Sequence, residues 1–184
     1  MSKQTTKQAI NPQVGIIMGS DSDLETVVHA AQTLDNFGVP SDLVVASAHR
    51  SPALVTKTLR SWEKAGVQVV IAAAGCAAHL PGVVASQTYL PVIGVPLAAP
   101  PFNGMDSVLS ILPMPGGIPV ATMAVGKPGV INAALFAVRI LALHNPILGT
   151  KLASHIKDME RSVVEKNKKL KSLGAKAFLA QRGK

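Results

Sequence analysis

The sequence predicts a three-layer α/β/α sandwich around a five-stranded parallel sheet, and three observations lead there. Five short apolar runs alternate with stretches of helical spacing, as strands and crossover helices do in such sheets. Hydrophobic residues make up 48% of the 184-residue chain but aromatic residues only 3%. The core is therefore built from Val, Ile, Leu and Ala, the residues of a sheet buried on both faces. Every long, unusual loop follows a strand, which in this architecture puts the loops on one edge of the sheet. The expected organisation is one α/β domain over residues 13–150 with strand order 2-1-3-4-5 and right-handed crossovers. A disordered leader over residues 1–12 precedes it, and a basic C-terminal helix and tail over residues 151–184 follows.

The elements follow in order. Val14 to Met18 reads as a buried first strand ending at Gly19. Leu24, Val27, Val28, Ala31 and Leu34 recur at helical spacing up to Phe37, where Gly38 supplies a stop and Pro40 prevents continuation. A second strand, Leu43 to Ala46, turns through Ser47-Ala48-His49-Arg50 into a helix from Pro52 to Gly66. Pro52 suits a first helical turn, where its missing N–H is not needed. The third strand, Val67 to Ala74, is followed by a small-residue loop and a short helix reaching Tyr89. The fourth, Val92 to Pro96, opens into a proline-rich loop, and the fifth, Val120 to Val125, leads into an alanine-rich helix from Val130 to His144. A last, more polar helix spans about Thr150 to Leu173, expected to pack along the surface or on a neighbouring subunit.

Several function classes drop out. One cysteine, Cys76, allows no internal disulfide and no metal-ligand cluster, and Met1 to Gln8 lacks the apolar stretch of a signal peptide. The apolar runs are too short and interrupted to span a bilayer, so a cytoplasmic protein with no membrane partner is expected. The net charge of +8 is concentrated at one end: residues 151–184 hold 10 Lys plus Arg against 3 Asp plus Glu. Such a run is usually a solvated helix face. Only Phe178 is interleaved as a stacking aromatic, so nucleic acid is not an expected primary partner.

Three loops carry the candidate chemistry. Gly19 and Ser20 lead into a helix start, where free N–H groups attract an anion and the Ser20 and Ser22 hydroxyls add donors. Asp21 and Asp23 would repel a phosphate, so one carboxylate is better used on a polyol such as ribose; Asp21 or Ser22 as a plain N-cap is the competing reading. At the second corner, His49 suits proton transfer near neutral pH and the Arg50 fork matches a phosphate or carboxylate. The bland reading makes His49 a helix cap and leaves Arg50 solvated. In the third loop, Gly75-Cys76-Ala77-Ala78-His79-Leu80-Pro81-Gly82, small side chains let a substrate reach backbone N–H groups; close packing with His79 as a cap is the alternative. Gly104-Met105-Asp106-Ser107 and Met114-Pro115-Gly116-Gly117 read as lid material. Neither a Gly-x-Gly-x-x-Gly fingerprint nor a P-loop is present, and one Cys with one His makes no zinc site.

Taken together, Gly19-Ser20-Asp21-Ser22-Asp23, Ser47-Ala48-His49-Arg50-Ser51-Pro52, Ala77-Ala78-His79-Leu80-Pro81-Gly82, Asp106-Ser107 with Met114-Pro115, and Asn132-Ala133-Ala134-Leu135 resemble the N5-carboxyaminoimidazole ribonucleotide mutase family of de novo purine biosynthesis. The resemblance covers about residues 14 to 150. It implies a flavodoxin-like subunit in a homo-octamer with sites at subunit contacts. The implied reaction interconverts N5-carboxyaminoimidazole ribonucleotide and 4-carboxy-5-aminoimidazole ribonucleotide, with no metal, biotin or ATP and no cofactor. By the same resemblance Ser20, Ser22 and Arg50 hold the 5'-phosphate and Asp23 the ribose hydroxyls, with Gly19, Ser47 and Ala48 among the substrate-binding residues. Gly75, Cys76, Ala77, His79 and Leu80 surround the imidazole and migrating carboxylate, and His49 transfers the proton.

A related class, which carboxylates the aminoimidazole directly, carries a lysine after the histidine and a different third loop; Arg50 and His79 match the mutases. Cys76 departs from the family pattern, which usually has a second glycine there, and Leu112-Pro113 and Gly116 differ around the Met-Pro motif.

Overall fold

The structure, a computed structural model, describes residues 11–182; most of the expected leader lies outside them. The chain divides into two compact units, one through Leu141 and one from Ala142. The first holds strands β1 (Val14–Met18), β2 (Ser41–Val45), β3 (Val69–Gly75), β4 (Val92–Leu97) and β5 (Ala121–Thr122). Its helices are α1 (Leu24–Phe37), α2 (Pro52–Ala65), α3 (Leu80–Ala85), α4 (Met105–Ile111) and α5 (Gly126–Ala142). All strand pairings are parallel and the order is β2-β1-β3-β4-β5, as expected from the sequence.

Side-chain alternation along the strands decides which helices cover which face. Ile17, Val70, Ala72, Ala74 and Val92 join Val55, Leu59 and Trp62 of α2, Leu80 and Val84 of α3, and Ile111 of α4 in one buried cluster. Val95, one residue out of phase with Gly94, faces the other way. A Cβ built on Gly129 of α5 would lie 3.3 Å from it, while one on Gly94 would meet Ile111 at 2.9 Å. The two faces of β4 are therefore covered by different helices, and both are filled by aliphatic side chains.

Large aromatics are accommodated by glycine. A Cβ on Gly15 of β1 would stand only 2.5 Å from the Trp62 ring, whose Nε1 donates to Asp42 Oδ2 at 2.7 Å. That bond satisfies the indole N–H, which would otherwise cost a desolvation penalty in so buried a place. Helices α1 and α2 stop where the sequence predicts. Gly38 and Gly66 adopt φ 72 and 86, and their N–H groups return to the last turn, the usual glycine stop.

The structure departs from the sequence expectation at several elements; α3, for one, ends at Ala85 instead of reaching Tyr89. Strand β5 is only two residues long, Ala121–Thr122, against the expected Val120 to Val125. Helix α5 starts at Gly126 instead of Val130, since Pro128 fits a first turn. The expected lid at Gly104–Ser107 is instead the entry to α4, and buried Ser107 Oγ donates to Leu97 O at 2.9 Å. The last helix, α6, runs from Pro146 to Arg182, longer than the expected Thr150 to Leu173, with a break at Gly174. Asn145 Oδ1 accepts from the N–H groups of Ile147 and Leu148 at 3.1 and 3.4 Å, which sets that start. Helix α6 makes up most of the second unit.

Candidate active site

The C-terminal ends of β1, β2, β3 and β4 surround one cavity of about 270 Å³. The residues that the resemblance assigns to the site all line it. Gly19, Ser20, Ser22 and Asp23 come from the β1 loop, Ser47, Ala48, His49 and Arg50 from the β2 loop, and Gly75, Cys76, Ala77, His79 and Leu80 from the β3 end. The cavity lies where the strand order reverses, the switch point of an open parallel sheet.

The β1 loop sorts its two carboxylates. Asp21 Oδ1 accepts from Ser22 N at 3.1 Å and from Ser20 Oγ at 3.2 Å, so that group is engaged within its own turn. Ser22 Oγ donates to Ser20 Oγ at 2.9 Å, leaving two hydroxyls side by side at the cavity wall. Asp23 lines the cavity half-buried. Burial pushes its carboxyl above the ordinary value; a backbone hydrogen bond at Ser20 opposes the rise and the nearby Asp21 charge adds to it. Asp21 is thus engaged within its own turn, while Asp23 lines the cavity.

The β2 corner is a tight turn, not a helix cap. Ser51 precedes α2, and its Oγ accepts from Ser47 N at 2.9 Å and donates to Ser47 O at 3.2 Å. Ser47 Oγ accepts from Arg50 N at 3.2 Å and from Arg50 Nε at 3.5 Å. Arg50 Nη2 then reaches across to donate to Gly19 O at 3.0 Å. These bonds leave His49 projecting from the turn with its ring free of backbone duty, and they hold the guanidinium between the β1 and β2 corners.

At the β3 end the chain reverses through Cys76, which has φ 54. That is the left-handed region where a side chain costs about 1–2 kcal/mol. Ala78 is buried in the core, whereas Cys76, Ala77 and His79 are exposed along the cavity. His79 stands at the entry to α3 and makes no side-chain cap bond; its ring turns to His49 instead. His49 Nε2 and His79 Nδ1 are 2.8 Å apart, with the rings edge to face at 81°. Strand β1 lies between β2 and β3, so the two imidazoles meet past the end of β1.

Ala74, Leu97, Ala98 and Ala99 also line the cavity and escaped the sequence reading. Small apolar residues carry no chemical signature; the available signal was their position at the ends of β3 and β4. Neither segment read as lid material lines the cavity, and Met114 packs near Gly82 of α3, 3.2 Å from where a Cβ would stand. Among the described residues no group of three His, Cys, Asp or Glu side chains is placed to hold a metal ion.

Comparison with known proteins agrees with this geometry. A family model described as AIR carboxylase matches residues 13–162. The N5-carboxyaminoimidazole ribonucleotide mutase of Pyrococcus horikoshii is 50% identical over 170 residues, covering 92% of this chain and 95% of that protein. The protein of the same name from Bacillus subtilis is 47% identical over 161 residues, covering 88% and 99%. The crystal structure of Treponema denticola PurE superposes with a TM-score of 0.80 at 30% identity, covering 87% of this chain and 99% of that one. With the match spanning the sheet and all four loops around the cavity, the chain belongs to the AIR carboxylase family.

Proposed function

We propose that this protein is an isomerase of de novo purine biosynthesis, converting N5-carboxyaminoimidazole ribonucleotide to 4-carboxy-5-aminoimidazole ribonucleotide. Relatives from Pyrococcus horikoshii and Bacillus subtilis carry the mutase name. The observation that carries the reading is one cavity holding Arg50, paired serine hydroxyls, the Asp23 carboxyl and His49. Those groups match a phosphate, a ribose and a proton-transfer step respectively.

The chemistry balances with one proton. Breaking the N–C bond of the carbamate releases carbon dioxide, and protonated His49 supplies a proton to the exocyclic nitrogen. The ring carbon's electron pair then attacks carbon dioxide, forming the C–C bond. His49, now neutral, removes the proton from that carbon and aromaticity returns. Nothing is oxidised and no proton is lost. The remaining demand is to keep carbon dioxide beside the ring, and the small side chains of Gly75, Ala77, Ala98 and Ala99 shape a narrow place for it.

The finer parts of this reading follow. Arg50, Ser20 and Ser22 bind the 5'-phosphate and Asp23 the ribose, with no cofactor. The chains assemble as a homo-octamer in the cytoplasm. Met105, Leu109 and Leu112 are 61–63% exposed at i, i+4, i+7 spacing on and just after α4, an apolar stripe of the kind subunit contacts cover. No helix among the described residues is long and apolar enough to cross a membrane.

Incubating the purified protein with N5-carboxyaminoimidazole ribonucleotide and following both isomers by NMR tests the activity. Isomerisation faster than spontaneous decay is expected; an unchanged ratio would reduce the protein to a ribonucleotide-binding module. The family description favours one second reading, direct carboxylation of aminoimidazole ribonucleotide. Rapid turnover of that compound with bicarbonate, but none of the carbamate, would select it.

A further inference from the structure

The isomerase reading leaves unused a groove on α6, formed by residues beyond 162, where the family match ends. We infer that this groove receives the first half of α6 from a second copy of the chain, the two helices running antiparallel about a two-fold axis at Val163. The inference goes beyond the isomerase reading and stands independently of it.

The argument starts from the apolar face of α6. Ile156, Met159, Val163, Leu170 and Leu173 are between 39% and 65% exposed. Their spacings of three, four, seven and three residues are those of a heptad seam, with Lys166 in the position left between Val163 and Leu170. A seam of this period fits another helix, whose side chains interlock with it turn by turn. All five residues belong to the second compact unit. After the break at Gly174 the chain turns so that Phe178 and Gln181 stand with Val163 and Leu170 around a groove of about 580 Å³. Val163, Leu170 and Phe178 give the groove apolar walls, and Lys166 and Lys169 give it positive charge.

Charge decides the occupant and its direction. Residues 166–182 hold six Lys plus Arg and no carboxylate, whereas Asp158, Glu160 and Glu165 all precede them. Parallel helices would set lysines against lysines, and like charges facing each other are costly. Antiparallel helices lay the half that carries the carboxylates on the basic half. Asp158 is already paired with Arg161 at 2.9 Å, but neither Glu160 nor Lys166 has an ion pair or side-chain hydrogen bond among the described residues. Ile156 lies seven residues before Val163 and Leu170 seven after it; Glu160 lies three before and Lys166 three after. A two-fold axis at Val163 therefore brings Ile156 of the partner subunit to Leu170 and the groove, and Glu160 of the partner subunit to Lys166. The symmetry makes both contacts twice, so that one patch is its own complement. Lys166 then fixes the register, the use that a polar seam position has in coiled coils. A lipid surface or a nucleic acid would answer the lysines but leave Glu160 beside the seam without a partner.

The test is disulfide trapping in the full chain carrying Cys76→Ser, without substrate, read on a non-reducing gel after mild oxidation. A disulfide needs its two Cβ atoms about 3.5–4.5 Å apart, so each link reports a position. Val163→Cys is expected to give a cross-linked dimer. Ile156→Cys alone and Leu170→Cys alone give none, whereas the two together do. Adding Glu160→Lys to Val163→Cys abolishes most of the link, and adding Lys166→Glu to that variant restores it. A folded Val163→Cys protein that stays unlinked overturns the inference. Linking of Ile156→Cys alone shows parallel helices and overturns it as well, and a charge reversal that Lys166→Glu does not rescue overturns the register. An unlinked protein that sediments with phosphatidylserine vesicles, or that retains RNA at low salt, assigns the groove to that ligand instead. The isomer assay on the wild-type chain separates the two readings: isomerisation without the cross-link overturns the pairing alone, and the cross-link without isomerisation overturns the isomerase reading alone.

Discussion

Arg50 Nη2 donates to the carbonyl of Gly19 at 3.0 Å, so the guanidinium of the β2 corner is also the tie that holds the β1 corner in place. A single side chain sets the spacing between the two loops assigned to the phosphate. Lysine cannot reproduce a planar fork that bonds a carbonyl and faces an anion together. Arg50→Lys is expected to raise KM for the carboxyaminoimidazole substrate about 10-fold to 100-fold, the range for losing a charge-assisted bond, with kcat changed much less. Steady-state kinetics decide this; an unchanged KM would remove Arg50 from phosphate binding.

His49 has no backbone partner among the described residues, and it is exposed on its turn. His49→Asn should therefore fold and bind nucleotide as wild type does while isomerisation falls by a factor of roughly 10² to 10⁴. Circular dichroism, ligand titration and the isomer assay separate these effects. Wild-type activity in the variant would sink the assigned role.

Cys76 holds φ 54 at the mouth of the β3 loop. Glycine relieves a left-handed conformation costing about 1–2 kcal/mol and gives back about 0.5–1 kcal/mol in unfolded-chain entropy. Cys76→Gly is expected to stabilise the protein by about 0.5 kcal/mol in net and to keep isomerase activity. Denaturant unfolding measures it, and a lower midpoint would show that the thiol makes compensating contacts.

Asp23 gives a pH signature. Its folded-state carboxyl titrates above the ordinary value of 3.8, so the folded protein holds this proton to higher pH than the unfolded chain. The contribution to stability is present below pH 3.8 and declines as pH rises through the elevated folded value. Asp23→Asn, neutral throughout, is expected to gain stability relative to wild type as pH rises through that window, while substrate binding weakens. Thermal unfolding across acid pH checks the sign; a gain confined to low pH would contradict it.

The sheet and its order were legible because Val14–Met18, Val69–Ala74 and Val92–Leu97 are continuous apolar runs, and only a sheet covered on both faces buries such runs. The β1 to β3 loops were legible because each had a bland reading alone but all three fall on the one sheet edge where ligands bind. Two kinds of feature stayed hidden. The helical character of Met105–Ile111 was obscured by the glycine before it and the short length, so it read as a lid. Ala74, Leu97, Ala98 and Ala99 were missed since an alanine beside a ligand looks in sequence like an alanine in a core. The bond between His49 and His79 depends on β1 lying between β2 and β3, a tertiary fact that spacing along the chain does not encode.

Gly19 sits at that crossing, at the end of β1, and a Cβ built on it meets no protein atom within 4 Å. The fold would accept a side chain there without complaint. Gly19 lines the cavity, so under the proposed function it is the bound nucleotide, and not the polypeptide, that calls for glycine there. A screen for thermal stability would pass Gly19→Ala as silent, while a screen for growth without purines would reject it. At this position the polypeptide leaves room that no part of the chain fills.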